Sequence, residues 1–451
     1  MLASTFALRA AAQPNPFKAW ADFVTAPPAV YRGPTLPFPD ALPRPDAQQF
    51  RVCSQLQSVC VHAARAAGAA RVQRALAAVE TAIAWLDADG WPLPYPDTGR
   101  GGSPDLDVYL VEGAAQLTAA IAEAPLGFGD LDGASTHVQL DAALPDAALE
   151  RCAVDALAQA GLYAHDPAEA EGTRRAAAAV ATARFSGEYG CDDAVEDAQQ
   201  APHLGLIGDD PRQVAAAALF LSMLSRRHDG DSGRFVRGVF ELARQHSKSA
   251  TVLHARPTVW QAVSAALEQA GESLDRTVEE FAIARHFAPR APGPLPALPR
   301  SATVSARWAP PLARLPEHVP AQEPPLATFG SAYLHIDTSG ARDGAQLKAW
   351  LRGEPGARWS FAAVRLDNAG RELGRMSAPP RRVPESFLPI ELTADTAEVL
   401  IVVTKLPPAN VVPAASGDDG HYFKLILDAS TDQPAAGSVR PDAVYTAPVA
   451  R

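Results

Sequence analysis

The residues in this 451-residue chain with which chemistry could be done are four cysteines, eleven histidines and a scatter of acidic groups. Cys53 and Cys60 are far apart in sequence from Cys152 and Cys191, and no CxxC pair occurs, so a thiolate metal site lacks its usual spacing. An even cysteine count suits two disulfides in an oxidising compartment. Three connectivities are open, of which 53 with 60 and 152 with 191 is favoured. The alternative is four buried free thiols in a cytosolic protein. No two histidines stand three to five residues apart, which leaves no local zinc motif. His62 shares the apolar side of an expected helix and reads as a core histidine. In His228-Asp-Gly-Asp-Ser-Gly, Asp229 and Asp231 have the spacing that opens a calcium loop. The closing Glu is missing, so the segment reads as an inter-helix turn, as does Asp418-Asp419. There is no G-x-S-x-G elbow, and Gly99-Arg-Gly-Gly-Ser lacks the Lys-Ser/Thr of a phosphate loop.

The elements that must position such residues are bounded by length and composition. A chain this long exceeds one ordinary core and suggests two or three domains. Hydrophobic residues at 47% and charged residues at 20% exclude wholesale disorder. A net charge of -11 argues against nucleic acid and anionic lipid as partners, because Arg174-Arg175, Arg226-Arg227 and Arg381-Arg382 are isolated pairs rather than a basic patch. No apolar run reaches the ~18 residues of a membrane span, so membrane insertion is not expected. Met1 to Gln13 reads either as a poor export signal or as a plain tail.

Residues 1–50 form a Pro-rich N-terminal arm. From Ser54 to Asp87 apolar residues recur at helical spacing, with Gly68 as a break. Asp107 to Val111 reads as a short strand. Ala-rich helices then run from Pro145 to Phe287, with Asp146 and Asp166 as expected N-caps, Pro167 at a first helical position and Pro211 opening a further helix. Residues 291–326 are an aperiodic Pro-rich linker. Beyond it the period changes from 3.6 to 2 in runs beginning at Tyr333, Leu347, Trp359, Ile390, Glu398 and Tyr422, with Asp367-Asn-Ala-Gly-Arg as a hairpin loop. Six short strands predict a β-sandwich over 327–435, followed by a tail, 436–451. The fold class expected is therefore α+β.

Read in order, Cys53 to His62 (CSQLQSVCVH), Gly90-Trp-Pro-Leu-Pro and Pro104-Asp-Leu-Asp-Val-Tyr-Leu resemble the prelude of secreted bacterial zinc metallopeptidases of the gluzincin type. In that family a "DVYL" strand precedes a helix bearing HExxH, a following helix carries a Glu-Gly step, and a proline-rich joint leads to a C-terminal β-sandwich. The resemblance implies a mostly helical, zincin-like domain over 51–290, with Ala147 to Tyr163 as the motif helix and Glu171-Gly172 as the later step. It places Asp155 and Gln159 where the two histidines would stand, Ala156 in place of the general base, and Glu171 at the third-ligand position. Catalytic zinc needs imidazole or carboxylate ligands and a carboxylate to take a proton from its water. This set leaves at most a weak oxygen site suited to hard cations.

The resemblance with these departures implies a noncatalytic, metallopeptidase-like protein outside the cytoplasm, binding a protein or peptide partner, with no catalytic residue, metal or cofactor. An enzyme with a different ligand set drawn from His62, His137, His165 or His203, and a structural subunit of an extracellular assembly, are the alternatives. The bland reading is a hydrogen bond between Asp155 and Gln159, one helical turn apart.

Overall fold

The computed structural model describes residues 35–37, 44–45, 50–96, 99–112, 119–125, 132–244, 252–254, 256–289, 293–319, 324–339, 341–379, 385–408 and 420–430. The N-terminal signal or tail, most of the arm, Arg381-Arg382, Asp418-Asp419 and the tail from 436 lie outside the described residues. The fold is α+β and divides into two compact units. One comprises Met1–Ser305, Leu326–Ser331 and Pro407–Gly420, the other Ala306–Pro325, Ala332–Leu406 and His421–Arg451. Among the described residues no helix is long and apolar enough to cross a membrane.

In the first unit the elements are β1 (Thr35–Pro37), β2 (Phe50–Cys53), β3 (Val59–Ala63), α1 (Ala69–Asp89), β4 (Leu106–Val111), β5 (Ala119–Pro125), β6 (Ala134–Asp141), α2 (Asp146–His165), α3 (Glu171–Ser186), α4 (Val195–Gln200), α5 (Pro211–Asp229), α6 (Arg234–Ala243), β7 (Val252–His254), α7 (Val259–Gln269) and α8 (Leu274–Phe287). β1 and β7 pair with each other. The main sheet has the order β2-β3-β4-β6-β5. Strands β3, β4 and β6 are parallel, and β2 and β5 run antiparallel to their neighbours. One face is apolar because alternate residues of each strand share it: Val59 and Val61, Val108 and Leu110, Val138 and Leu140 are all at most 1% exposed. Helix α1 packs against β2 and β3, and α2 against β5 and β6.

The helix expected from Ser54 begins only at Ala69, after Gly68. Its apolar stripe, Val72, Ala75, Leu76, Val79, Ile83 and Leu86, is buried at the expected spacing. Ahead of it, Val59-Cys-Val-His-Ala is a strand buried on both faces, for which a continuous apolar run is the norm; its residues therefore mimic helical spacing. Cys53 and Cys60 accordingly face each other across the β2–β3 hairpin rather than framing a helix start. Asp146 is the first residue of α2 rather than its cap, and Asp166 follows the last turn of α2. Pro167 lies in the connection to α3.

The second unit contains β8 (Arg307–Trp308), β9 (Glu317–Val319), β10 (Ser331–Asp337), β11 (Gln346–Gly353), β12 (Arg358–Leu366), β13 (Glu372–Ala378), β14 (Glu385–Glu391), β15 (Glu398–Leu406) and β16 (Phe423–Ser430). They form two sheets, β13-β12-β15-β10-β8 and β14-β11-β16-β9. A small apolar space is lined from both, by Leu334 and Ile401 of the first and Val319 and Leu425 of the second. Trp359 of β12 meets Phe423 of β16 at 5.7 Å between ring centroids. Two short pieces of the segment expected to be a linker, Arg307–Trp308 and Glu317–Val319, are sheet: Arg307 pairs with Leu334, and His318 with Ile426. These two- and three-residue strands carry too short a run for a period to register. The Asp367 turn joins β12 to β13, a strand not expected from the sequence.

Two disulfides, Cys53–Cys60 and Cys152–Cys191, fasten the first unit, and no described cysteine is free. The second spans 39 residues and ties α2 to the chain beyond α3. Its loop-closure entropy is worth about 4 kcal/mol, against about 2.5 for the hairpin disulfide. Cys152→Ser/Cys191→Ser is therefore expected to lower the denaturant midpoint more than Cys53→Ser/Cys60→Ser. Equal midpoints for the two double variants would contradict this.

Candidate functional site

Helix α2 is enclosed. It packs against α1, α3, α6, β5 and β6, and every residue from Cys152 to Leu162 is buried. Small side chains permit this. At Gly161 even a Cβ would lie 1.8 Å from the Pro92 carbonyl oxygen, so only glycine allows that close approach. The N-terminus of α2 carries Asp146, which complements the helix dipole and pairs with Arg71 at 2.7 Å.

Asp155 and Gln159 sit one turn apart in this enclosed stretch. The Gln159 amide donates to Asp155 Oδ2 at 3.1 Å. The Thr182 hydroxyl of α3 lies 3.3 Å from Asp155 Oδ1 and 2.9 Å from the Ala178 carbonyl oxygen, with one proton for both. Cys191 contributes a backbone hydrogen bond. Burial pushes the Asp155 carboxyl up to about 6, with Arg175 acting against the rise and Asp192 adding to it. Together with Arg175, Ala179, Tyr189, Asp192 and Asp193, Asp155 lines a cleft of about 40 Å³. The Cys152–Cys191 bridge holds one side of this cleft to α2. Burial pushes the Tyr189 hydroxyl up to about 12, so it stays protonated at ordinary pH.

Ala156 is fully buried and offers no base. Glu171 does not join the pair: it is exposed in the first turn of α3, eleven residues and ~16 Å along the helix from Thr182. The Glu-Gly step has a packing reason. Gly172 donates its N–H to Asp209 at 2.7 Å, and a Cβ there would lie 1.9 Å from the Gly208 carbonyl oxygen. The donor set beside Asp155 is a carboxyl, an amide already donating to it and a shared hydroxyl. It contains no imidazole and does not fit a catalytic zinc ion. Among the described residues, one group of three metal-type ligands falls within 4.8 Å, namely Cys53, Cys60 and Asp105, and its sulfurs are consumed by the disulfide.

None of the four histidines held in reserve lines the cleft. His165 pairs with Glu241 at 2.8 Å, and His203 lies in the short turn before α5. His62 and His137 instead belong to a network on the polar face of the sheet. His62 Nε2 is 2.6 Å from Asp107 Oδ1, and its ring stacks on Tyr109 at 4.8 Å. Tyr109 meets His137 edge-on at 5.5 Å, and Gln139 lies 3.2 Å from His137. Arg44, from the arm, pairs with Asp107 and donates to the Tyr109 hydroxyl at 2.9 Å. Burial raises the Asp107 pKa, but hydrogen bonds and charges from His62 and Arg44 outweigh it and hold the carboxylate below its usual range. The available signal was the alternation of Asp107 with Tyr109 and of His137 with Gln139, which puts each pair on one strand face.

Asp229 is a cap rather than a calcium ligand. Its carboxylate accepts from the Ser225 hydroxyl at 2.8 Å and from the backbone N–H groups of Ser232 and Phe235 at 2.6 and 2.5 Å, fixing the turn into α6.

No family model and no curated protein matches the chain. Among solved structures it is similar to the Yersinia pseudotuberculosis-derived mitogen, at 12% identity and a TM-score of 0.18, over 29% of this chain and 100% of that one. It is also similar to the enzymatically active domain of bacteriophage CBA120 tailspike protein 4, at 13% identity and a TM-score of 0.17, over 24% of this chain and 15% of that one. At these scores neither likeness carries an argument.

The raised Asp155 pKa makes a signed expectation. Between its unfolded value of 3.8 and its folded value of about 6, the folded chain binds more protons than the unfolded one, so stability falls as pH rises through this window and stays lower above it. The contribution is about 3 kcal/mol. Asp155→Asn is expected to flatten that part of the stability curve, measured by urea unfolding from about pH 4 to about pH 7. An unchanged slope in the variant would contradict the assignment.

Proposed function

We propose that this chain is a noncatalytic, metallopeptidase-like protein of an extracytoplasmic compartment that binds an extended protein or peptide segment beside α2. The observation that carries the reading is the state of Asp155 and Gln159. They stand at the motif positions of the family resemblance, yet their polar groups are engaged with each other and with Thr182, while Ala156 supplies no base. The chemistry has no proton acceptor poised for a metal-bound water.

The sheet supports the zincin-like part of the reading. A parallel core of β3, β4 and β6 ends in an antiparallel strand, β5, and β6 leads into α2 after a four-residue turn. On its outer side β5 has no strand partner among the described residues. Such an edge offers alternating N–H and C=O groups to an extended chain, the β-augmentation mode of peptide recognition. The shared apolar lining of the two sheets in the second unit supports a β-sandwich there. Two disulfides support an oxidising location.

Selection from a displayed random-peptide library tests the binding mode. Ala120 and Ile121 are successive residues of β5, so their N–H groups point to opposite sides of the strand. One of Ala120→Pro and Ile121→Pro is expected to remove peptide binding while leaving the melting temperature near wild type. The other is expected to break the pairing with β6 and destabilise the fold. Failure of the wild-type protein to enrich any peptide, or retention of binding in both variants, would contradict strand addition.

A further inference from the structure

We propose that the outward face of the β14-β11-β16-β9 sheet is a binding site for a linear, neutral, β-linked polysaccharide. Strand β11 buries Leu347, Ala349 and Leu351, each at most 1% exposed, so the intervening Lys348, Trp350 and Arg352 point to the opposite face. Cross-strand register then sets four residues in one row: Phe387 opposite Trp350, Trp350 opposite Ile426, and Ile426 opposite His318. Phe387 is 42% exposed and Ile426 37%. The rings of Trp350 and Phe387 stand 5.0 Å apart at 33° to each other, leaving their combined surface tilted rather than stacked shut.

The neighbouring rows are of a different kind. Pro389, Lys348 and Asp428 lie on one side of the aromatic row, and Glu385, Arg352 and Lys424 on the other. Charges of both signs are interspersed, and Arg352 is 3.5 Å from Glu385. Among its described residues this face therefore presents no single-sign field to attract a nucleic acid, an anionic lipid or a charged glycan. It does present hydrogen-bonding groups along both borders of an apolar strip.

A strip one side chain wide is too small for the ~800 Å² per partner of a stable protein interface. It matches a chain of sugars instead. Four strands at ~4.8 Å spacing give a row of ~14 Å, roughly the length of three hexose units in a β-linked chain. The C–H faces of such rings are drawn to the negative faces of Trp and Phe, while equatorial hydroxyls reach the charged borders.

The test uses the full chain, with isothermal titration against cellohexaose, mannohexaose and chitohexaose, a heparin fragment, and sedimentation for self-association. At least one of the neutral hexasaccharides is expected to bind. The affinity is expected to fall about tenfold or more in both Trp350→Ala and Phe387→Ser, the loss of one stacked ring in each. Trp308→Ala, which removes a 66% exposed tryptophan elsewhere in the same unit, is expected to leave binding unchanged. Thermal melting checks that the variants fold, and Phe387→Ser carries the test if Trp350→Ala does not. Binding of none of the three hexasaccharides overturns the proposal. So does binding that survives Phe387→Ser, preferential binding of heparin, or a row whose loss changes only self-association.

Discussion

The enclosure of α2 is the constraint from which the rest of the first unit follows. A helix packed by other helices on its flanks and by a sheet must carry small side chains at the close approaches, and must satisfy every polar group within reach of its own neighbours. Alanines and Gly161 meet the first demand. Asp155, Gln159 and Thr182 meet the second as one local set, with the carboxyl's pKa raised by its burial. The disulfide from Cys152 fixes the loop that supplies the Cys191 backbone hydrogen bond. The covalent staple and the buried carboxyl are thus parts of one arrangement.

What could be read in the sequence, and what could not, separates by range of interaction. Period-two runs such as Leu347-Lys-Ala-Trp-Leu announced their strands because local alternation suffices, with Leu347, Ala349 and Leu351 buried and the residues between them not. The hairpin at Asp367 was legible from turn chemistry alone. Val59 to Ala63 was not, because a strand buried on both faces has lost the alternation that identifies it. Nor could spacing reveal that Glu171 points into solvent, since its distance from Asp155 depends on how far along α3 the two helices meet. The Arg44–Asp107–His62 network joins the arm to two strands, β3 and β4, that are neighbours only in the folded sheet, so no local window contains it.

That network also explains why two histidines that looked available for chemistry are not near the cleft. Alternation places His62, Asp107, Tyr109 and His137 on one sheet face, where each finds a polar or aromatic neighbour. Asp155 lies instead between α2, α3 and the loop at Cys191, facing Thr182, Arg175 and Tyr189. An account in which the histidines join Asp155 in one ligand sphere requires a different strand register.

Asp155 is engaged by Gln159 and Thr182, and we propose that this set does not hold zinc. Zinc content, measured by elemental mass spectrometry after expression with added zinc and dialysis against a weak chelator, tests it directly. The account expects zinc far below one ion per chain, with no difference between wild type and Asp155→Ala. One tightly held zinc per chain, lost in Asp155→Ala, would contradict it.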